Sequence, residues 1–188
     1  MPQKVAALMI VLLMGTVVGR VLLLRRTGTR AMHFGKIDKT DFLLPPVALF
    51  YFYSLFASAF GWPLAITDRF FRSTAAAWVG VGLCVGGVLI LAVSLASFGS
   101  SFRVGIDTDQ PGRLVTTGIF AVSRNPIYVG FFLFLYGQFL AFPSWTTVVA
   151  LAFAAVLFHR QVLREEAFMR QRYGQEYAEY CGRVRRYM

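Results

Sequence analysis

The residues best suited to chemistry fall into two short groups. Arg124, Asn125, Pro126 and Tyr128 stand at the head of an uncharged run covering residues 125–158, and Glu165 and Glu166 follow just beyond its end. An arginine and an asparagine before a helix, with proline in its first turn, suit a polar or charged ligand held at an apolar boundary. Tyr128 comes one helical turn after Arg124 and so faces the same side. A carboxylate such as Glu165 beside a long apolar run costs free energy unless it has a partner. The plainer account of Glu165 and Glu166 is the solvated face of an amphipathic helix, with Leu163, Ala167 and Phe168 on the other face.

Ahead of the first group, residues 99–124 read GSSFRVGIDTDQPGRLVTTGIFAVSR. Connections of that length are usually functional or disordered. Phe102, Val104, Ile106, Leu114, Val115, Ile119 and Phe120 argue against disorder, because a disordered segment carries few apolar residues.

The elements that must position these residues are apolar helices. Of 188 residues 57% are hydrophobic, and four stretches carry no charge at all: 5–19, 42–67, 73–102 and 125–158. An uncharged run of about 18 or more is long enough to cross a bilayer. The first span is expected from Val5 to Leu24, with Arg20 snorkelling at its end. A signal peptide is the competing reading, but no small-residue cleavage site follows. The second runs from Phe42 to Phe60, with Pro45 and Pro46 in its first turn and Gly61, Trp62 and Pro63 ending it. The third, Ala75 to Ala96, carries Gly82 and Gly86 four residues apart, a spacing that lets helices approach closely and that recurs at Gly15 and Gly19. The fourth stretch is too long for one span. Pro143 and Ser144 divide it into Ile127 to Phe142 and Trp145 to Phe158, a short hairpin. A further helix is expected through Tyr173, broken at Gly174, with a second short helix beyond.

The sequence therefore predicts an all-α integral membrane protein. It has five transmembrane helices, a short helical hairpin formed by spans four and five, and a cytoplasmic amphipathic C-terminal helix. Residues 1–188 form a single domain, with spans one to three in residues 1–98 and the loop, hairpin and C-terminal helices in 99–188. On this topology 16 of the basic residues lie on one side and only Lys4, Arg69 and Arg72 on the other. The richer side is cytoplasmic. The N-terminus is then outside and the C-terminus inside a multi-pass protein of the plasma (inner) membrane. Eight of the nine acidic residues, all but Asp68, fall on the inner side, so the polar chemistry is concentrated there.

The net charge of +10 has its explanation in this sidedness, and no nucleic-acid partner is inferred. Cys84, in an apolar run, and Cys181, in the basic tail, form no disulfide framework. Asp107 and Asp109 are too few for a metal cage, and no zinc spacing, phosphate loop or nucleophile triad is present. No metal is expected. His33 reads as a surface residue and His159 as a favourable charge at a helix end.

Three linked motifs carry a family resemblance. Leu114-Val115-Thr116-Thr117-Gly118-Ile119-Phe120, then Ser123-Arg124-Asn125-Pro126-Ile127-Tyr128-Val129-Gly130, then Glu165-Glu166 with Tyr173-Gly174-Gln175-Glu176-Tyr177-Ala178-Glu179-Tyr180, together resemble the isoprenylcysteine carboxyl methyltransferase and phospholipid methyltransferase superfamily. The resemblance implies an S-adenosylmethionine-dependent membrane methyltransferase acting at the cytoplasmic face on a small lipophilic or lipid acceptor, in contact with membrane lipids. It implies cofactor contacts from Arg113, Leu114, Val115, Gly118, Phe120, Asn125, Pro126, Ile127, Tyr128 and Glu165. Among these, Leu114, Val115 and Ile127 suit the adenine, Tyr128 and the amides around Gly118 its polar ends, and Glu165 a hydroxyl or amine. Catalytic roles fall to Glu166, Arg124 and Arg160, with Glu166 or Tyr128 taking a proton where the acceptor is an amine, phenol or thiol. This chain departs from the prenylcysteine enzymes at Gly112, Phe120 and Asn125, and at Gln161, where those enzymes place an arginine. Two other readings stay open. One is an NADPH-dependent oxidoreductase resembling the sterol reductases, with Arg113, Arg124 and Arg160 around the 2′-phosphate. The other is a non-catalytic membrane protein of the same fold.

Overall fold

A computed structural model describes residues 1–26, 44–62, 69–97 and 114–188. These form five α-helices: α1 (Pro2–Arg26), α2 (Leu44–Phe60), α3 (Thr74–Ser97), α4 (Pro126–Ala141) and α5 (Trp145–Arg183), with a 3-10 turn at Gly118–Ala121. No strand occurs among the described residues, only an isolated bridge between Arg69 and Ser144. Three helices are long and apolar enough to cross a membrane: Pro2–Leu23, Thr74–Ser97 and the one beginning at Trp145. The apolar parts of α2 and α4 are shorter, and the 16 residues of α4 extend only about 24 Å. Pro63, the whole of 98–113 and the His33 region lie outside the described residues.

α1 to α4 and α5 as far as Phe158 are apolar on nearly every face, as expected where lipid replaces water as the outer neighbour. Leu12, Leu22, Val79 and Leu89 are exposed, while Leu55, Leu91, Phe134 and Phe142 are buried in the centre. α3 lies along α4, α1 leans on α3, and α5 returns beside α4. Gln138, fully buried in α4, donates from Nε2 to the Ala6 carbonyl of α1 at 2.7 Å.

The contact between α3 and α4 corrects the expectation for the glycines. Gly82 faces open space, as do Gly15 and Gly19, and Gly86 meets only the tip of Leu133. The close approach is made instead by Gly80 and Gly87 on α3 against Gly137 and Gly130 on α4. Seven residues are nearly two full turns, so each pair forms one stripe, whereas Gly82 lies about 200° around the helix from Gly80. A Cβ built on Gly87 would sit 2.6 Å from the Gly130 carbonyl oxygen and 2.8 Å from the Phe134 nitrogen. Both are main-chain atoms, and neither can turn aside.

Between α4 and α5 the chain reverses through Phe142, Pro143 and Ser144. Thr147 Oγ1 lies 2.7 Å from the Phe142 carbonyl and accepts from the Ser144 amide at 3.2 Å, completing a capping box with Ser144. Phe70 N donates to the Pro143 carbonyl at 2.7 Å, and the Phe70 and Trp145 rings meet edge to face. At the other end α5 kinks at Gly174, whose φ of 51° and ψ of −120° interrupt the helix. That backbone is open to glycine because it lacks a Cβ. The kink carries Tyr177 and Tyr180 into buried positions.

Candidate functional site

The site lies where the start of α4, the middle of α5 and the residues after α5 converge. Gly118, with φ of 63°, lets the chain turn beside Ser97 at the end of α3. The 3-10 turn then buries Phe120. Its carbonyl accepts a 2.6 Å bond from Tyr180 Oη. Burial pushes the Tyr180 phenol up to about 12, so it remains a donor across the neutral range.

Asn125 precedes α4, but its side chain makes no cap bond to the helix. Its Nδ2 reaches instead to the Arg186 carbonyl at 3.1 Å and toward Glu166 Oε1 at 3.4 Å. Ser123 Oγ accepts from the Asn125 amide at 3.1 Å and lies 3.4 Å from the same Arg186 carbonyl. The Arg124 amide donates to the Arg185 carbonyl at 3.0 Å. A segment following α5 therefore runs against the head of α4.

Glu166 is buried at the centre of this arrangement. Arg186 grips it with two bonds, Nε to Oε1 at 3.1 Å and Nη2 to Oε2 at 2.9 Å. Arg124 Nη2 touches Oε1 at 3.2 Å. The paired carboxylate raises the Arg186 pKa above its ordinary value. Two guanidinium groups around one carboxylate leave a net positive charge. The Arg124 side chain is only 10% exposed, and its Nε is buried without a hydrogen-bond partner among the described residues. An unfilled donor on a buried cation favours an incoming acceptor.

Glu165 and Glu166 are consecutive, hence about 100° apart around α5, and they serve different neighbours. Glu165 is half-buried and accepts from Tyr128 Oη at 2.8 Å and from Gln161 Nε2 at 3.0 Å. Burial holds its pKa above the ordinary carboxylate value, and the two donors pull in the opposite direction. A raised folded-state pKa means that the stability contribution is full below the ordinary carboxyl range and is lost as pH rises through the raised value. Unliganded protein is therefore expected to lose thermal stability over that window. Glu165→Gln, whose amide oxygen still accepts from Tyr128, should show no such loss. Melting curves at a series of pH values check this, and parallel profiles for the two proteins would contradict it.

Beside this pair the Tyr128 ring meets Phe158 at 5.6 Å between centroids, and Phe131 and Phe132 surround Phe158 at 5.5 and 5.6 Å. Pro126 is buried, while Leu114, Val115 and Ile127 are half-buried. Arg160 is exposed on α5. Its neighbour His159 lies with Nδ1 2.8 Å from Tyr187 Oη. Arg113, Gly112, Asp107 and Asp109 lie outside the described residues. Among the described residues no group of three or more metal-ligating side chains occurs. The sequence motifs include Ser123 and Tyr180 without giving either a role, and they do not reach Arg186 or Tyr187. Arg186 in particular reads as one more cation in a basic tail.

Residues 75–176 match the phospholipid methyltransferase family, which is more than half of the chain. The chain belongs to this family. The family segment contains α3, α4 and α5 as far as its kink, and with them Arg124, Asn125, Tyr128, Glu165 and Glu166. α1, α2 and Arg186 lie outside it. A probable protein-S-isoprenylcysteine O-methyltransferase of Oryza sativa subsp. indica is 32% identical over 113 residues, 57% of this chain and 58% of the relative. Protein-S-isoprenylcysteine O-methyltransferase B of Arabidopsis thaliana is 28% identical over 110 residues, covering 56% and 55%. The enzyme of that name in Schizosaccharomyces pombe is 33% identical over 107 residues, covering 54% and 44%. The chain thus spans about half the length of the curated relatives it matches.

Proposed function

We propose that this protein is a membrane methyltransferase that uses S-adenosylmethionine and methylates a small lipophilic or membrane-embedded acceptor at the cytoplasmic face. The observation that carries the reading is the pairing of Tyr128 with Glu165 next to the cation-rich Arg124–Glu166 cluster, all within the family segment. The names of the relatives, protein-S-isoprenylcysteine O-methyltransferases, support an acceptor carrying a lipid chain.

The donor set fits the cofactor. The unpartnered Arg124 Nε suits its carboxylate end, Glu165 suits a hydroxyl or amine, and Leu114, Val115 and Ile127 offer apolar surface for the adenine, with Gly118, Phe120, Asn125 and Pro126 framing it. When bound, S-adenosylmethionine supplies a methyl group already activated by its sulfonium. The residues of the chain then have to hold, align and dry the reacting groups. Phe131, Phe132 and Phe158 exclude water beside Tyr128. Glu166, with both oxygens engaged by guanidinium groups, fixes Arg124 in place. Arg160 stands at the cytoplasmic edge, where it meets an acceptor or lipid headgroups. A carboxylate acceptor needs no base, whereas an amine, phenol or thiol must lose a proton.

The five-span topology, with α4 and α5 as a hairpin and the part of α5 beyond Phe158 in the cytoplasm, belongs to the same proposal. The charge asymmetry supports it. The reductase reading would need several cations gathered around a 2′-phosphate, whereas Arg124 and Arg186 are gathered around the Glu166 carboxylate and leave a single net positive charge. Isothermal titration of the purified protein with S-adenosylhomocysteine and with NADPH separates the readings. Heat with the first and none with the second is expected. Glu165→Gln should bind S-adenosylhomocysteine about ten- to a hundredfold more weakly, the loss expected for one bond to a charged acceptor. Binding of NADPH alone would overturn the proposal. Intact affinity in Glu165→Gln would remove Glu165 from the cofactor site.

A further inference from the structure

The residues that follow α5 make a set of contacts that their composition does not announce. α5 ends at Arg183, and Val184 turns extended, with φ of −123° and ψ of 133°. From there the chain crosses the head of α4. The Arg185 carbonyl receives the Arg124 amide at 3.0 Å. The Arg186 carbonyl receives Asn125 Nδ2 at 3.1 Å, with Ser123 Oγ at 3.4 Å. Tyr187 Oη meets His159 Nδ1 of α5 at 2.8 Å. One short segment thus touches three consecutive residues before α4 and returns to α5.

The Arg186 side chain decides how Glu166 is held. Its grip is bidentate, at 3.1 and 2.9 Å, and a planar fork on a carboxylate fixes orientation as well as distance. Arg124 reaches the same carboxylate through Nη2 at 3.2 Å. The more exposed arginine, at 34% against 10%, therefore does the orienting. The buried arginine, set by the carboxylate so oriented, keeps Nε unspent. If Arg124 alone had to hold Glu166, its own fork would be drawn onto the carboxylate and that donor would be consumed.

We propose that residues 184–187 are a strap that completes the site, with Arg186 as a positioning residue that orients Glu166 and thereby leaves Arg124 free to receive a ligand. This rests on the reading of the site as one for S-adenosylmethionine. It assigns a role to a segment beyond the family match, which ends at residue 176. The strap acts through its side chain at Arg186 and through main-chain carbonyls at Arg185 and Arg186. Changing the exposed Arg185 side chain should therefore leave it intact, although the same charge is lost.

The test compares Arg186→Ala, Arg186→Lys and Arg185→Gln in the full chain. Each is measured for S-adenosylhomocysteine affinity by titration, for ligand-free melting, and for hydrogen exchange of a peptide covering residues 119–125. Arg186→Ala should bind about tenfold more weakly or worse and exchange faster at the Arg124 amide. Arg186→Lys, which keeps the charge without the fork, should recover part of the affinity. Arg185→Gln should match the parent in all three measurements. Equal affinity in Arg186→Ala and the parent overturns the positioning role. Equal loss in Arg185→Gln and Arg186→Ala reduces it to bulk charge and overturns it as well. If the parent fails to bind S-adenosylhomocysteine, the functional reading falls, and the exchange measurement alone then decides the strap. Faster exchange in Arg186→Ala supports it, and unchanged exchange refutes it. Should Arg186→Ala not fold, Arg186→Lys against Arg185→Gln carries the same comparison.

Discussion

Replacing Glu166 with alanine is expected to be among the most damaging single changes in the protein. The carboxylate is 5% exposed and is the shared partner of Arg124 and Arg186. Removing it leaves two guanidinium groups facing each other, one of them almost wholly buried. Breaking a buried ion pair by deleting one partner costs roughly 3–5 kcal/mol. Because Arg186 is partly open to solvent, a loss of about 3 kcal/mol is the better expectation here. For a chain of this size that corresponds to a fall in Tm of roughly 6–12 °C, measurable in detergent by thermal denaturation. Glu166→Gln keeps the shape and one acceptor, so it should fall between the parent and Glu166→Ala. A Glu166→Ala protein that melts with the parent would mean that solvent reaches the cluster freely, and the account of Arg124 would then fail with it.

The second large effect is expected where α3 packs on α4, at Gly137→Val. A Cβ at Gly137 would stand 2.5 Å from the Gly80 carbonyl oxygen, 2.8 Å from Cys84 Sγ and 2.9 Å from the Cys84 nitrogen. Two of these are main-chain atoms of α3, so relief requires the helices to part. Overpacking a close contact costs about 1–3 kcal/mol, and valine, with two branches in a space too small for one carbon, belongs at or above the upper end. Gly82→Val is the matched control, because nothing lies within 4 Å of that position. The two variants should differ sharply in melting temperature. Since α4 carries Tyr128 and begins directly after Asn125, Gly137→Val should also weaken S-adenosylhomocysteine binding from a distance. Similar melting of both variants would show that α3 and α4 separate at little cost.

These two sites mark the limits of what the sequence makes legible. Long uncharged runs located the helices to within a few residues, because the need to bury main-chain polar groups in lipid leaves a chain little choice. The break at Gly174 and the turn at Pro143 and Ser144 were legible for similarly local reasons. The packing face of α3 was not. A helix apolar all round carries no asymmetry to show which side meets protein, and the four-residue spacing of Gly82 and Gly86 drew the eye instead of the seven-residue stripe of Gly80 and Gly87 that is used. Tyr128 and Glu165 were both picked out, and they meet. Arg186 was hidden because its partner lies 20 residues away across a kink that only the folded chain resolves. The neighbouring cations are indistinguishable from it in type. The resemblance gave Glu165 and the adjacent Glu166 different roles, and helical geometry does turn them toward different neighbours.

The bond from Gln138 to the Ala6 carbonyl has a consequence for how α1 can vary. A smooth apolar helix in lipid can slide and rotate against its neighbours with little penalty, since each new position buries much the same surface. One buried amide that must find an acceptor ends that freedom, because a shift of a single residue strands it. The acceptor belongs to the main chain, so the lock reads position and not side-chain identity, apart from the small size that lets Ala6 sit fully buried. α1 is therefore free to change nearly every outward residue while keeping one depth and one rotation against α4. A polar graft elsewhere on α4, offering α1 a second acceptable setting, would restore the ambiguity that Gln138 removes.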